Sequence, residues 1–391
     1  MHYSDFTATS SDGRACNWML AYSTVDVPLA RHLSSSLHSH VGATIFGCTS
    51  FQGVFNPNGF SRGMHALAAS KSDGIRAAPV LRSTGSVRAR TEARTAAMAI
   101  QKTLGEVPSC MLLHATPGFE ERVLEGIEEA FSGSPPPVYG GSAADDEMKG
   151  DWRIYLDTNI VAEGFLLVGF TSPRPVLGSF VSGYTPTNTT GVVTATTGRV
   201  VNTIDNLPAA EVYNNWTNGA IRNQLGGGVV LHETVPQPVG RIVDKVRSMP
   251  RYLLSHPHQV MPSGGLLFFS EMKVGDELIL MLGSESALVE RTAQATARAL
   301  GASNAPEQLC GGILLFCGGC VSVLGEKAGE AATSFRKQIL DAPFVGASTF
   351  GEVGCFSGTT LINRHGNLMC DAVLFEGNRA WSSTAPTSGR V

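Results

Sequence analysis

The sequence predicts an α/β fold with two related halves, each a mixed β-sheet flanked by helices. Three observations lead to this prediction. A helix–strand–helix–strand pattern occurs twice in the chain, and the two copies lie about 200 residues apart. Each copy ends in a small-residue turn that contains glycine, and each continues into a pattern typical of a β-hairpin. The common order of elements indicates one duplicated module.

The first copy begins with a helix over residues 87–104, where Ala and Arg are spaced for an amphipathic face. The apolar run 110–114 follows as a buried strand. A second helical stretch then leads to strand 138–142, which ends in a Gly-Gly-Ser turn. Residues 152–170 predict a hairpin around the turn 157–159.

The second copy has the same order of elements. A helix over 291–301 precedes the apolar strand 310–316, another helical stretch and strand 344–348, which ends in Gly-Ala-Ser. Residues 358–375 predict strand, turn and strand. The repeat therefore continues beyond the turn, which a chance match does not explain.

A shorter echo of the module lies near the N-terminus. It comprises a strand over 17–22, a helix over 28–38 with Pro28 in its first turn, and a strand over 43–49. Strand–helix–strand units of this length predict parallel strand pairs joined by right-handed crossovers. The added hairpins make the predicted sheets mixed.

The remaining segments complete the predicted organisation. Residues 53–63 are interpreted as a loop, 242–251 as a connecting segment, and 262–282 as two strands around Gly275. We expect a flexible arm over 1–16, a first domain over 17–228, a second over 229–377 and a disordered tail over 378–391.

Composition narrows the class of protein. The net charge of −4 lacks the basic excess of nucleic-acid-binding proteins, so no nucleic-acid partner is expected. The sequence has no apolar run of the length that a membrane span needs, and the N-terminus does not resemble a secretory signal. Several of the eight cysteines lie inside apolar runs. Reduced, buried thiols in a cytoplasmic protein are therefore expected.

Three small-residue turns end buried strands, at 47–50, 140–142 and 346–349. Glycine lets a ligand approach bare backbone N–H groups, and Ser and Thr add hydroxyl partners. Carboxylates that follow two of the turns would hold the ammonium group of an amine or amino acid. We expect at least two turns to line a common cavity, the alternative being a packed sheet corner. The candidate ligand-binding residues are Cys48, Thr49, Ser50, Gly141, Ser142, Asp145, Asp146, Cys317, Ser348, Thr349 and Glu352.

Cys317 and Cys320 form a Cys-x-x-Cys pair. A redox dithiol usually lies at a helix N-terminus, whereas here the next helix is predicted to begin nearer Gly325. Structural thiols are therefore the favoured interpretation, ahead of a redox pair or a zinc site.

Two histidine positions stand out. His114 ends a buried strand beside the expected cavity, and a core histidine is the favoured interpretation. His256 and His258 flank a proline and are predicted to be exposed to solvent.

The chain has no phosphate-binding loop, dinucleotide fingerprint or nucleophile elbow. We therefore predict a protein without enzymatic activity. The weaker alternative is an enzyme with Cys48 or Cys317 as nucleophile, which would need a base nearby.

Several motifs resemble those of the FIST domain family. Residues 345–354 (VGASTFGEVG) resemble the GxSTxGEIG signature of FIST C-terminal domains, and residues 315–319 (LFCGG) resemble the strand before it. Residues 46–50 (FGCTS) and 139–146 (YGGSAADD) resemble the GCST and GGSAADD segments of FIST N-terminal domains. The resemblance extends to residues 183–186, 192–194 and 208–213. The first turn lacks the carboxylate that the family places after it.

The resemblance implies an intracellular sensory module that binds small ligands such as amino acids, with haem as a cofactor in some relatives. A eukaryotic relative carries an F-box, which the short segment before the first strand of this chain does not accommodate. The leading hypothesis is a stand-alone small-ligand sensor that signals through a protein partner. The alternatives are a structural or adaptor subunit without a ligand, and a haem-based gas sensor.

Overall fold

Three six-stranded mixed sheets form the body of the fold in the part of the chain that the structure describes. The computed structural model describes residues 1–5, 16–40, 42–246, 248–303, 308–357 and 361–377. Residues 6–15, 358–360 and 378–391, on which parts of the predicted arm, hairpin and tail fall, lie outside the described residues.

The first unit supplies seven elements, in chain order. They are β1 (His2–Asp5), β2 (Trp18–Ser23), α1 (Leu29–Ser39), β3 (Thr44–Thr49), β4 (Val54–Asn56), β5 (Gly59–Ser61) and β6 (Met64–Ala69). The structure corrects two expectations here. The start of the predicted arm forms strand β1, which pairs with β6, and the predicted loop 53–63 contains the β4–β5 hairpin.

The second unit has the same order with one more helix, α2, after its first strand. Its elements are β7 (Arg76–Ser83), α2 (Ser86–Leu104), β8 (Cys110–Ala115), α3 (Glu120–Ala130), β9 (Val138–Ser142), β10 (Ile154–Leu156), β11 (Asn159–Val161) and β12 (Gly164–Thr171). The helices and strands that the repeat predicts are present.

The third unit is interrupted after its first strand, β13 (Val176–Val181). It resumes with α6 (Glu285–Leu300), β23 (Leu309–Cys317), α7 (Gly318–Leu324), α8 (Ala328–Gln338), β24 (Phe344–Thr349), β25 (Glu352–Ser357), β26 (Leu361–Gly366) and β27 (Cys370–Glu376). Short 3₁₀ turns lie at Lys71–Asp73, Arg222–Gln224 and Gly325–Lys327.

The interruption, which we call the insert, forms a fourth sheet with its own hydrophobic core. Its elements are β14 (Thr185–Thr197), β15 (Val200–Ile204), β16 (Leu207–Pro208), α4 (Ala209–Trp216), β17 (Gly228–Val229), α5 (Leu231–Thr234), β18 (Val239–Val246), β19 (Met249–Ser255), β20 (Pro257–Val260), β21 (Leu266–Phe268) and β22 (Glu277–Leu282). The predicted connecting segment 242–251 is wrong, because it belongs to the β18–β19 hairpin.

The three sheets follow one plan. A parallel pair forms the centre of each sheet: β2 with β3, β8 with β9, and β23 with β24. An antiparallel strand from the same unit flanks each pair, namely β6, β12 or β27. The α/β prediction with mixed sheets and helices is confirmed, and the N-terminal echo is a third copy of the module.

The hairpin of each unit pairs with the sheet of another unit. The β4–β5 hairpin pairs with β24, the β10–β11 hairpin with β3, and the β25–β26 hairpin with β9. The three exchanges close a ring, so no sheet is complete without a segment from a different unit. Aromatic rings from all three sheets meet inside the ring, where Phe170 lies 5.3 Å from Trp18 and 5.5 Å from Phe375 between ring centroids.

One glycine occupies the same register position in each parallel pair. Gly47, Gly140 and Gly346 lie opposite Ala21, Leu113 and Leu314. A Cβ on these glycines would lie 1.7, 1.8 and 2.4 Å from the carbonyl oxygen of the opposite residue. These glycines are therefore required by the approach of a neighbouring strand.

A buried ion-pair network connects the second unit, the third unit and the insert. Arg199 of the insert lies 2.7 Å from Glu120 and 2.6 Å from Glu121, both on α3. His365 on β26 contacts Glu121 through Nδ1 at 2.9 Å. Burial lowers the pKa of His365, but the two glutamates outweigh this effect and raise it above its ordinary value. Burial raises the pKa of Glu121, but His365 and Arg199 outweigh it and lower it.

Among the helices that the structure describes, none has the length and apolar character that crossing a membrane requires.

We predict that Gly47→Ala lowers the free energy of unfolding by about 3 kcal/mol or more, because the added Cβ meets backbone rather than a movable side chain. Gly226→Ala is the control, since its Cβ would have no atom within 4 Å. Urea unfolding of both variants measures the difference. Equal stability of the two variants would contradict the packing role of Gly47.

We predict that His365→Gln lowers stability more at about pH 6 than at about pH 9. Because the pKa of His365 is raised in the native state, its positive charge stabilises the fold fully below the unfolded-state pKa. This stabilisation is lost as pH rises through the native pKa. Removing one partner from a buried ion pair costs about 3–5 kcal/mol. Urea titrations across this pH range measure the effect, with exposed His38→Gln as the control. A loss that does not depend on pH would exclude a charged His365.

Candidate functional site

The three turns predicted as a site converge and are hydrogen-bonded to one another. The first and third turns are joined twice: Phe51 N–H donates to the Ser348 carbonyl at 2.9 Å, and Ser348 N–H donates to Ser50 Oγ at 2.8 Å. The first and second turns are joined by Ala144 N–H, which donates to the Thr49 carbonyl at 3.0 Å.

The second and third turns are joined in the same way. Ser142 N–H donates to the Gly351 carbonyl at 2.9 Å, and Phe350 N–H donates to the Ser142 carbonyl at 3.1 Å. The convergence follows from the hairpin exchange, because each turn is the segment where the chain leaves its own sheet and enters the next one.

Several candidate side chains hold these turns in place. Thr49 Oγ1 accepts the N–H of Arg153 at 2.9 Å, and Ser50 Oγ donates to the Gly53 carbonyl. Ser142 Oγ donates to Glu120, which extends the ion-pair network to the second turn. The Cys48 thiol is fully buried, and its burial raises its pKa above the ordinary value.

The carboxylates after the second turn organise the loop that follows. Asp145 accepts the backbone N–H groups of four residues, Glu147, Lys149, Gly150 and Asp151. Asp146 accepts the N–H of Gln52 and pairs with Arg62, both at 2.8 Å.

Glu352 is fully buried beneath the third turn. Its two oxygens accept from Thr349 Oγ1 and from Met369 N–H, each at 2.9 Å. Burial raises the pKa of Glu352 to about 8, despite these two hydrogen bonds. The carboxyl group is therefore held neutral inside the protein at pH 7.

A cavity of about 320 Å³ lies against the converging turns, and we call it the three-turn cavity. The residues that follow the first and second turns supply Phe51, Gln52, Asp146, Glu147 and Met148. The third turn supplies Thr349, Phe350 and Gly351, and the end of β23 with α7 supplies Cys317, Gly318, Gly319 and Ser322. The insert covers the remaining side with Leu231, His232, His256 and Phe269, and Asn367 completes the lining.

The expectation of a common cavity agrees with this arrangement only in part. Asp146, Cys317 and Thr349 line the three-turn cavity. Thr49 and Asp145 line a second, charged cavity of about 560 Å³, which Asp146 also borders. The other candidates line neither cavity: they are Cys48, Ser50, Gly141, Ser142, Ser348 and Glu352.

The cavity also includes residues that sequence reasoning missed. Phe51 and Phe350 directly follow the first and third turns, and their ring centroids are 5.6 Å apart. The predicted exposure of His256 is wrong, since the ring is buried between β19 and β20. Position relative to the turns could have identified the two phenylalanines, whereas the insert residues carry no such signal.

His114 is a satisfied core histidine. Its Nδ1 donates to the Gly141 carbonyl at 2.9 Å, which leaves Nε2 to accept from Tyr22 Oη at 2.9 Å. Burial lowers the pKa of His114 to about 4, so the ring is neutral. His114 thus holds the second turn in place through this hydrogen bond and does not line the three-turn cavity.

His256 and Cys317 at the cavity carry an imidazole and a thiol, and haem iron takes an imidazole or a thiolate among other ligands. His256 Nε2 is bonded to the Leu231 carbonyl at 3.1 Å and to Thr234 Oγ1 at 2.9 Å. Burial raises the pKa of Cys317 well above its ordinary value, so this thiol keeps its proton. Neither side chain fits an axial ligand.

One cluster of metal-ligand type occurs among the described residues. Atoms of Glu120, Glu121 and His365 lie within 4.8 Å of one another. Arg199 already donates to both carboxylates, and His365 contacts Glu121. The cluster is therefore an ion-pair network that supplies its own positive charge.

A comparison with protein families identifies the family of this chain, whereas a comparison with curated proteins gives no match. The FIST N domain matches residues 17–207, and the FIST C domain matches residues 209–355. Together these matches cover most of the chain, including the three turns and most of the insert. The chain therefore belongs to the FIST family.

Proposed function

We propose that this protein is a non-enzymatic, cytoplasmic small-ligand sensor whose ligand occupies the three-turn cavity. FIST domains are sensory domains associated with small ligands in signalling. The observation that carries the proposal for this chain is the composition of the cavity wall, to which all three units and the insert contribute. A ligand in this place touches four separate parts of the fold.

The size of the cavity favours a small ligand. Its volume of about 320 Å³ is at the lower end of the range of about 300–1,000 Å³ for small-molecule sites. The rings of Phe51, Phe269 and Phe350 offer apolar contact, and Asn367 offers an amide. An amino acid with an apolar side chain suits this lining.

Charge at the cavity suggests the orientation of such a ligand. Asp146 borders the cavity, and its carboxylate is one quarter exposed. Glu352 does not border it. We therefore place the ammonium group of the ligand at Asp146 rather than at Glu352.

A sensor must convert occupancy into a change that a partner detects. A ligand shifts a conformational equilibrium only by its difference in affinity for the two states. Because the cavity wall comes from different units, any shift between the insert and the turns changes the contacts available to the ligand. We propose that the insert carries this change to a protein partner. A structural or adaptor subunit without a ligand is the rival function.

We predict that an apolar amino acid raises the thermal midpoint of the protein. Saturation at 100 times the dissociation constant stabilises the native state by about 2.7 kcal/mol. Ser322→Leu fills the cavity from α7 and should abolish the shift, whereas exposed Ser35→Leu on α1 should preserve it. Thermal scans with an amino-acid panel, preceded by native mass spectrometry for a co-purified ligand, measure this. No bound molecule and no shift with folded protein would favour the adaptor role.

We predict that Glu352→Gln leaves ligand affinity nearly unchanged and alters the pH dependence of stability. The native pKa of about 8 exceeds the unfolded value of about 4.3. Wild-type stability therefore falls as pH rises through this range, because the native state retains a proton that the unfolded state releases. The Gln variant should gain stability relative to wild type between these values.

Urea unfolding at several pH values and ligand titration of the same variant test this prediction. Exposed Glu330→Gln is the control for the loss of one charge. A tenfold or greater loss of affinity in Glu352→Gln, about 1.4 kcal/mol, would show that Glu352 contacts the ligand.

A further inference from the structure

Cys317 and Cys320 lie where strand β23 passes directly into helix α7. Cys317 is the N-cap residue, and α7 begins at Gly318, so the predicted helix start near Gly325 is wrong. Residues three apart lie on one side of a helical turn. The Cys317 and Cys320 side chains therefore lie on the same side of this turn, and each shifts the pKa of the other.

The two thiols differ in access. Cys317 lines the three-turn cavity, and 4% of its surface is exposed. Cys320 has no exposed surface, and its sulfur lies 3.8 Å from the Tyr184 hydroxyl oxygen. A molecule in the cavity therefore meets Cys317, and Cys320 is reached only through it.

A buried arginine lies on the inner side of this pair. Arg291 on α6 is fully buried, with its Cζ 3.9 Å above the Phe316 ring centroid. Its Nη1 donates to the Leu368 carbonyl at 2.8 Å, while Nε and Nη2 have no hydrogen-bond partner among the described residues. Burying a guanidinium without an anion is costly.

Cys320 is the thiol whose anionic form Arg291 favours most. Burial raises the pKa of Cys320, but the neighbouring Cys317 thiol and the Arg291 guanidinium outweigh it and lower the pKa below its ordinary value. Burial and the neighbouring Cys320 raise the pKa of Cys317. Thiolate character in this pair therefore falls on Cys320, and Cys317 keeps its proton.

We propose that Cys317 and Cys320 form a redox-active dithiol that reduces small disulfides entering the three-turn cavity and closes into an intramolecular disulfide. Cys317 is the attacking residue, and Cys320 is the resolving residue. This exchange is a single stoichiometric reaction rather than catalysis, and it goes beyond ligand sensing and does not depend on it.

The exchange balances with a disulfide RSSR as the oxidant. The shared proton moves from Cys317 to Cys320, and the Cys317 thiolate attacks one sulfur, forming a mixed disulfide and releasing RS⁻. Cys320 returns its proton to that RS⁻, giving RSH. The Cys320 thiolate then attacks the Cys317 sulfur, the Cys317–Cys320 bond forms, and a second RS⁻ leaves. Two electrons pass from the cysteines to RSSR.

The test uses the reduced full chain in buffers with different ratios of reduced to oxidised glutathione. After acid quenching and alkylation, intact mass and peptide mapping should show that two thiols disappear together, in one disulfide-linked peptide. Cys320→Ala should stop at a glutathione mixed disulfide on Cys317, and Cys317→Ala should give neither product. Cys110→Ala is the control and should react like wild type, because Cys110 lies in β8, where burial raises its pKa to about 12.

A second measurement does not depend on oxidation. The ultraviolet absorbance of thiolate in the reduced protein should titrate with a midpoint below the ordinary thiol pKa, and this low titration should disappear in Cys320→Ala. Circular dichroism confirms that each variant is folded, and Cys320→Ser replaces Cys320→Ala if the latter is not. Absence of the Cys317–Cys320 disulfide in fully oxidised glutathione would overturn the proposal, as would a thiolate midpoint that is not lowered in the wild-type protein relative to Cys320→Ala.

Discussion

The exchange of hairpins between the three sheets is the constraint on which the rest of the structure depends. Each parallel pair is completed on one side by a hairpin from another unit. The chain must therefore cross from sheet to sheet at the end of β3, β9 and β24. Because the exchanges close a ring, the three crossings meet, and their backbone groups bond to one another. The meeting of the turns is thus a consequence of topology.

This origin explains how the polar groups of the turns are used. Buried backbone and hydroxyl groups must find partners, and at a crossing the nearest partners are the other crossings. Ser50, Ser142 and Asp145 therefore hold the chain, although their composition resembles that of a ligand site. The surface left for a ligand comes largely from residues beside the turns, such as Phe51, Asp146 and Phe350, from the start of α7 and from the insert.

The sequence predicted the local part of this arrangement. The repeated helices and apolar strands predicted the parallel pairs, because their periodicity lies within each segment. It did not predict β4 and β5, since a three-residue strand carries little pattern and β4 pairs with β24, far away in sequence. It missed α7, because two glycines weaken the helix signal at its start. The sequence predicts Glu352 as a ligand group because the burial of its carboxyl depends on the pairing of β25 with β9, which is far away in sequence.

The third unit differs from the other two in the side chain that accepts one backbone N–H. Because of this difference, Cys317 is not needed as an acceptor and can line the cavity. In the first two units, Thr24 and Thr116 follow the first parallel strand and accept the N–H groups of Gly63 and Gly164 at 3.0 and 3.1 Å. Cys317 holds the equivalent position. In the third unit, the N–H group at the position of Gly63 and Gly164 belongs to Met369, and it donates to Glu352 at 2.9 Å. A buried glutamate thus replaces the threonine hydroxyl, and position 317 can hold a thiol without leaving that N–H unpaired.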